Sequence, residues 1–317
     1  MTFFSRRLVV PLLLVGLLHA CGGGGGSTTA TPPAATTTSG FDSTAYAGAP
    51  ASVGNAAIDG RNWINYRRSQ AGLLVLPQNA LVAQAAQNHS DYQRINDVIS
   101  HDEVAGKAGF TGAGLDARLA AAGFSLTTNN FAYGEIISAT TNPSGFFMAE
   151  ELITAIYHRF VMFEPVFKEI GTGAATTARS YTYFTADLVA NNGYGPGLGH
   201  GRVVVWPVSG QMGVTPNFFS NQEEPDPVAG IDEVGYPVSV HADISAVITV
   251  ASFTMRARNG SDLPVKLLQH STDPQTPRSA AAIIALTRLN AATVYDVAFS
   301  GSVDGVPVSL NWAFTTK

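Results

Sequence analysis

The stretch Ala149–Gly173, AEELITAIYHRFVMFEPVFKEIGTG, decides the fold of this chain. Apolar residues recur through it at helical spacing, and a β-like segment containing Gly171 and Gly173 follows. This pattern predicts one helix packed against a core, with His158 near its end and a strand after it. Glu151 lies seven residues before His158, so in one continuous helix both side chains would point from the same face.

Two earlier segments accompany this stretch, Ile99-Ser100-His101-Asp102-Glu103 and Tyr133-Gly134-Glu135-Ile136-Ile137. In this order, the pieces resemble the bacterial form of the CAP family (cysteine-rich secretory, antigen 5 and pathogenesis-related proteins). The residues that carry the resemblance are Ser100-His101, Arg118 with Gly123-Phe124, Gly134-Glu135, His158-Arg159 and Glu169–Gly173. It covers about Asp59 to Val205 and has two departures: Ile136 stands where the family has Asn, and the Trp that precedes the His-Arg pair is missing.

The resemblance implies a CAP-type α/β/α sandwich with a central cavity. In CAP proteins, the residues that match His101, Glu135 and His158 line this cavity, which can hold a divalent metal. Glu151 is a secondary candidate for the family's further carboxylate. Two imidazoles and one carboxylate are sufficient ligands for zinc with one open position, and such a site permits hydrolysis by a metal-activated water. The alternative is that the same three side chains form a hydrogen-bonded polar core.

His89 is the other secondary candidate. It shares one face of a predicted helix, which starts at Pro77-Gln78-Asn79, with Leu81, Ala85 and Tyr92. A histidine on an apolar stripe is more often a hydrogen-bonded core group than a ligand. We therefore expect His89 in the core.

The N-terminus predicts export. Arg6-Arg7 precede the apolar run Leu8 to Leu18, and Leu18-His19-Ala20-Cys21 resembles a bacterial lipobox. We expect cleavage of a signal peptide (1–20) and a lipid on Cys21, the only cysteine. Residues 21–54 read as a flexible Gly-, Thr-, Ala- and Pro-rich tether. An excess of arginine over lysine and a glycine after Cys21 favour the outer membrane of a Gram-negative bacterium.

The remaining chain divides into a CAP domain (55–206), a proline-rich linker (207–232) and an immunoglobulin-like β-sandwich (233–317). Two signals support the sandwich: Asp304-Gly305 predicts a type I′ hairpin, and Leu289–Tyr295 resembles a tyrosine corner. His241 and His270 are predicted to lie at its surface. The fold class is therefore α+β, a CAP-type sandwich followed by a small all-β sandwich.

A formal net charge of −5 offers no electrostatic footprint for nucleic acid. The expected partners are the membrane, through the lipid on Cys21, and a lipid or cell-envelope ligand. We expect a surface-tethered protein whose CAP domain binds this ligand, or a divalent metal such as zinc, at a cleft lined by His and Glu. The alternatives are a metal-dependent hydrolase of cell-wall or peptide substrates, and a structural envelope protein without a ligand.

Overall fold

The computed structural model describes residues 46–127 and 130–317. The predicted signal peptide, Cys21 and most of the predicted tether lie outside these residues. The described helices are α1 (Ala56–Gln70), α2 (Ala80–Asn96), α3 (Leu115–Ala121), α4 (Gly145–Thr154) and α5 (Ile156–Met162). The described strands are β1 (Ala132–Thr140), β2 (Glu169–Thr176), β3 (Thr182–Ala190), β4 (Val204–Trp206), β5 (Asn217–Phe219), β6 (Glu233–Gly235), β7 (Val238–His241), β8 (Ile248–Ala257), β9 (Val265–Gln269), β10 (Ala280–Ala285), β11 (Val294–Val303) and β12 (Val306–Thr315). None of the helices in this part of the chain has the length and apolarity needed to cross a membrane.

The first sheet has the order β1-β3-β2 and is antiparallel. Gly171 and Gly173 on β2 allow α2 to pack closely on one face, because a Cβ at either position would collide with the α2 backbone. The opposite face carries α1, whose Ala57 carbonyl accepts a hydrogen bond from Thr172 Oγ1 at 2.8 Å. Helices therefore cover both faces of the sheet, and the predicted α/β/α sandwich and α+β class are confirmed.

The predicted central helix is broken into two. Ala155 has an extended backbone (φ −68°, ψ 118°) and separates α4 from α5. The Glu223 carboxylate, which lies 65 residues further along the chain, accepts a hydrogen bond from the backbone N–H of His158 and thereby caps the N-terminus of α5. Glu151 and His158 consequently lie on different helices, and the expectation that they share a face is wrong.

The C-terminal part contains two antiparallel sheets, β4-β7-β10-β9 and β12-β11-β8. The Tyr295 hydroxyl accepts from the backbone N–H of Asn290 at 2.7 Å, so the predicted tyrosine corner is present. Asp304 and Gly305 both have positive φ, 52° and 80°, between β11 and β12. This is the geometry that a type I′ turn requires.

Three features of the C-terminal part differ from the sequence expectation. Val204–Trp206, grouped above with the CAP domain, pairs with β7 of the sandwich. The predicted linker contains β5, which pairs with β6. Strand β10 (Ala280–Ala285) was not predicted, because its apolar residues do not alternate; all six are buried. A strand that is buried on both faces carries apolar residues at successive positions, which explains the composition of β10.

Helix α5 is the element that covers the second face of β10. Its Ile156 and Phe160 belong to one apolar cluster with Ala280, Ala282 and Ile284. Phe160 also packs edge-on against His241, with ring centroids 5.7 Å apart. His241 is therefore buried rather than at the surface, and burial lowers its pKa to about 3.

Polar contacts of α5 reach three loops of the C-terminal part. The Tyr157 hydroxyl donates to Asp273 at 3.1 Å, and Arg159 Nη1 donates to the Pro237 carbonyl at 2.7 Å. His158 Nδ1 lies 2.9 Å from Glu223. Four consecutive side chains of the CAP part, 157 to 160, thus bind the C-terminal part, so the two parts share one packed interior.

Candidate functional site

The site begins with Glu135, which lies on β1 opposite Asp187 of β3. Its two carboxylate oxygens have different partners. Oε1 lies 2.9 Å from His101 Nδ1, and Oε2 accepts from Arg118 Nη2 at 2.6 Å. Both oxygens of Glu135 are therefore engaged inside the protein.

A second carboxylate, Glu103, lies in the loop between α2 and α3 and organises it. It accepts from the backbone N–H of Thr111 at 2.6 Å and of Gly112 at 3.2 Å. His89 Nδ1 lies 2.9 Å from Glu103, and His89 Nε2 lies 2.8 Å from the Ser100 carbonyl. His89 is fully buried with both ring nitrogens bonded, as expected for a core histidine.

Arg118 joins Glu135 to the loop that Glu103 organises. Besides its ion pair with Glu135, it donates from Nη1 to the His101 carbonyl at 2.7 Å. We call residues 98–113, together with these bonds to Glu135, His89 and Arg118, the clamped loop. Within it, the His101 side chain remains partly open to solvent, at 23% exposure.

The buried carboxyl groups differ in charge. Burial favours the neutral form of Glu135, but the Arg118 guanidinium and the nearby histidines hold its pKa well below the usual value. For Asp187, burial and the adjacent Glu135 carboxylate both raise the pKa well above the usual value. The surroundings therefore favour the ionised form of Glu135 and the protonated form of Asp187.

His158 lies on the opposite side of the sheet from Glu135. Successive residues of a strand point to opposite faces. A Cβ at Gly134 would lie 2.5 Å from Val161 of α5, so α5 packs on the Gly134 face, and Glu135 points away from it toward α3. The structure thus brings His101 together with Glu135 but not with His158, which is paired with Glu223 instead.

Glu151 is also separate from the other candidates. It lies on α4 and is exposed as a residue, although partial burial of its carboxyl group raises its pKa to about 7. A hydrogen bond from Ser138 opposes this rise. Within the described residues, His101 and Glu135 pair with each other and His158 pairs with Glu223, and no ion pair joins Glu151 to any of them.

These donor atoms do not fit a three-ligand zinc site. Glu135 already accepts from Arg118 and His101, and His158 is on the other face of the sheet. Across residues 46–127 and 130–317, no group of three or more His, Cys, Asp or Glu side chains is arranged to hold a metal ion. Metal binding by fewer ligands stays a prediction.

Three residues of these networks were missed from the sequence: Glu103, Asp187 and Glu223. Asp187 carried a usable signal, because it is the one acidic residue of β3, whose nine residues are all buried. An acidic residue in such a strand needs a partner or a proton. Glu223 carried no local signal, since its partner His158 is 65 residues away.

The family model for the cysteine-rich secretory protein family (CAP) matches residues 62–188. Among solved structures, an extracellular protein containing a SCP domain from Bacillus anthracis has 20% sequence identity and a TM-score of 0.37, over 43% of this chain and 40% of that chain. An outer surface protein from Borrelia burgdorferi has 14% identity and a TM-score of 0.35, over 42% of this chain and 90% of that chain. No curated protein sequence matches the chain. Residues 62–188 of this chain form a CAP domain of the cysteine-rich secretory protein family.

Proposed function

We propose that this chain is an exported lipoprotein, anchored to the cell envelope through Cys21, whose CAP domain binds an envelope ligand and does not catalyse a reaction. The apolar run Leu8 to Leu18 followed by the lipobox-like Leu18–Cys21 supports export and acylation. The CAP domain supports an extracytoplasmic role. The ligand-binding surface in this proposal is the clamped loop.

The observation that carries the proposal is that a fixed loop presents apolar side chains to solvent. Its residues Ile99, Val104 and Phe110 are 55%, 60% and 39% exposed, and Ile95 at the adjoining end of α2 is 48% exposed. These four residues lie between positions 95 and 110 of the chain, and groups of exposed apolar side chains on a surface mark interaction sites.

The polar network explains why the apolar side chains of this loop remain exposed, because it fixes the loop backbone in one conformation. Glu135 and Arg118 hold the loop at His101, while Glu103 holds it at Thr111. A loop already fixed in one conformation loses little entropy when it binds, so more of the contact energy appears as affinity. The network therefore supports positioning of a binding surface.

No contact favours the hydrolase alternative. A shared catalytic site would need His101 and His158 to approach one substrate, yet they lie on opposite sides of the sheet. Each imidazole is instead oriented by one carboxylate that already has other partners. A structural protein without a ligand remains the alternative that the experiment below separates.

The test is sedimentation of the purified protein with two probes: vesicles of phosphatidylethanolamine and phosphatidylglycerol, and purified peptidoglycan sacculi. The variant Ile99→Ser/Val104→Ser/Phe110→Ser should lose at least tenfold in affinity for the probe that binds the wild type. Met212→Ser is the matched control, because Met212 is 67% exposed and outside the loop. Wild-type protein that binds neither probe would support the purely structural alternative.

Zinc provides a separate test of the metal prediction. Zinc that binds only the native protein would stabilise it by about 2.7 kcal/mol at a hundredfold excess over the dissociation constant. Since three ligands are not assembled, we expect equal thermal melting curves with and without zinc at pH 7.5. A zinc-dependent rise in melting temperature that His101→Ala abolishes would restore the metal site.

A further inference from the structure

The sheet β12-β11-β8 carries a pocket of about 470 Å³ on its outward face. Its lining comes from all three strands and from Arg258 and Asp262, which follow β8 in the chain. The other face of this sheet packs into the core through Met255, Val297 and Phe314, so the residues next to these in each strand face the solvent. The volume lies within the range of about 300–1,000 Å³ in which proteins bind small molecules.

Strand register arranges the outward side chains of this pocket in two rows, because cross-strand partners point to the same face. The first row is Arg256-Asp296-Ala313, and the second is Thr254-Ala298-Asn311. Each row contains one alanine next to longer polar side chains. The pocket therefore has a low floor of methyl groups and a polar rim.

The charges of the rim balance. Arg258 Nη2 lies 2.7 Å from Asp296 Oδ1, and Arg256 and Asp262 add one further charge of each sign. A cationic ligand would meet two guanidinium groups, and an anionic ligand would meet two carboxylates. The charge pattern thus favours a ligand without net charge.

The hydrogen-bonding groups of the rim narrow the ligand class further. Guanidinium groups only donate and carboxylates only accept, whereas the Asn311 amide and the Thr254 hydroxyl do both. A ligand that pairs with all of them needs several groups that both donate and accept, as hydroxyl groups do. A sugar ring carries such hydroxyls, and its C–H face can lie on the methyl groups of Ala298 and Ala313.

A third row continues the outward face beyond the pocket. It consists of three exposed serines, Ser252-Ser300-Ser309. This row extends the hydroxyl-bearing surface along the strands, so a ligand longer than one sugar ring can continue over it.

We propose that the outward face of β12-β11-β8 binds a neutral oligosaccharide, with Thr254, Asn311 and Arg256 as its hydrogen-bonding residues and Ala298 as its floor. This site belongs to the C-terminal part and is separate from the clamped loop of the CAP domain. It gives the chain a second binding surface, one specific for glycan hydroxyls.

The test is an NMR titration of the nitrogen-15-labelled protein with three neutral probes, chitotetraose, maltotetraose and cellotetraose, and one acidic probe, tetragalacturonate. At least one neutral probe should shift the amides of Thr254, Ala298 and Asn311 to saturation. Ala298→Leu fills the floor and Asn311→Ala removes an amide from the rim, so each should weaken binding about tenfold or more. Thr249→Leu is the matched control, because Thr249 is exposed on β8 outside the pocket, and it should bind like the wild type.

Three results would overturn the proposal: no shift with any neutral probe, binding of tetragalacturonate alone, or wild-type affinity in both Ala298→Leu and Asn311→Ala. If Ala298→Leu does not fold, Asn311→Ala decides the outcome. Ile99→Ser/Val104→Ser/Phe110→Ser should bind the oligosaccharide as tightly as the wild type. This separates a failure of the present proposal from a failure of the proposed role of the clamped loop.

Discussion

Glu223 offers the sharpest test of how the two parts of the chain are joined. It is buried and accepts from the backbone N–H groups of Ile156, Tyr157 and His158 at 2.9, 2.7 and 3.1 Å. The His158 imidazole adds a fourth contact at 2.9 Å. Replacement with Ala removes every acceptor at the start of α5 and leaves these donors without a protein partner.

The expected cost of Glu223→Ala follows from these contacts. Hydrogen bonds to a charged group contribute about 1.5–3 kcal/mol each, but water can reach the partly exposed His158 and replace part of the loss. We therefore expect a loss of about 3–5 kcal/mol in the free energy of unfolding, the range for breaking a buried pair. Glu223→Gln keeps one carbonyl acceptor and should cost about half as much.

Urea unfolding, followed by circular dichroism and by tryptophan fluorescence, measures this loss. Glu224→Ala is the control, because Glu224 is adjacent but exposed, and it should change stability by less than about 0.5 kcal/mol. Equal stabilities for Glu223→Ala and Glu224→Ala would refute the assignment of Glu223 as the cap of α5.

Three further predictions concern the junction, a buried carboxyl and the anchor. Because residues 157 to 160 contact the C-terminal part, limited proteolysis should leave one resistant core spanning 207–232; two stable fragments cut there would show independent domains instead. Burial raises the pKa of Glu164 to about 8 in the folded protein, from about 4.5 in the unfolded chain. The protonated carboxyl therefore stabilises the folded state fully below about pH 4.5, and this stabilisation is lost as the pH rises through 8. The free energy of unfolding of Glu164→Gln, relative to that of the wild type, should therefore increase by a few kcal/mol from pH 5 to pH 9. A constant difference across this range would contradict a raised pKa at Glu164. Cys21→Ser should abolish labelling by a fatty-acid analogue, whereas equal label on both proteins would exclude a lipid on Cys21.

Local patterns made much of the fold predictable. Helical spacing of apolar residues and the Glu169–Gly173 motif contributed to the resemblance that predicted the first sandwich, and the structure shows that close packing of α2 requires Gly171 and Gly173. The tyrosine corner at Tyr295 and the Asp304-Gly305 turn identified the second. Each of these features depends on residues that are close in sequence, so a single chain displays them.

The parts that could not be predicted depend on distant contacts. The break at Ala155 follows from the cap supplied by Glu223, and the burial of His241 follows from packing against Phe160. The structure does not bring His158 and His101 together, for a related reason. The order of the motifs along the chain does not indicate which face of the sheet a helix covers. Asp187 could have been recognised as a buried acid, but its pairing with Glu135 required the strand register.

The central claim is that the His and Glu residues of the CAP domain fix a binding loop. Hydrogen exchange of residues 98–113 in the wild type and in Glu103→Ala tests it most directly, because Glu103 accepts from the amides of Thr111 and Gly112. We predict slow exchange at these two amides in the wild type. In the variant, exchange should be at least tenfold faster there and unchanged in β1–β3, with a parallel loss of binding to the probe that the wild type binds. Unchanged protection of the two amides, or full binding by a variant whose loop exchanges freely, would contradict it.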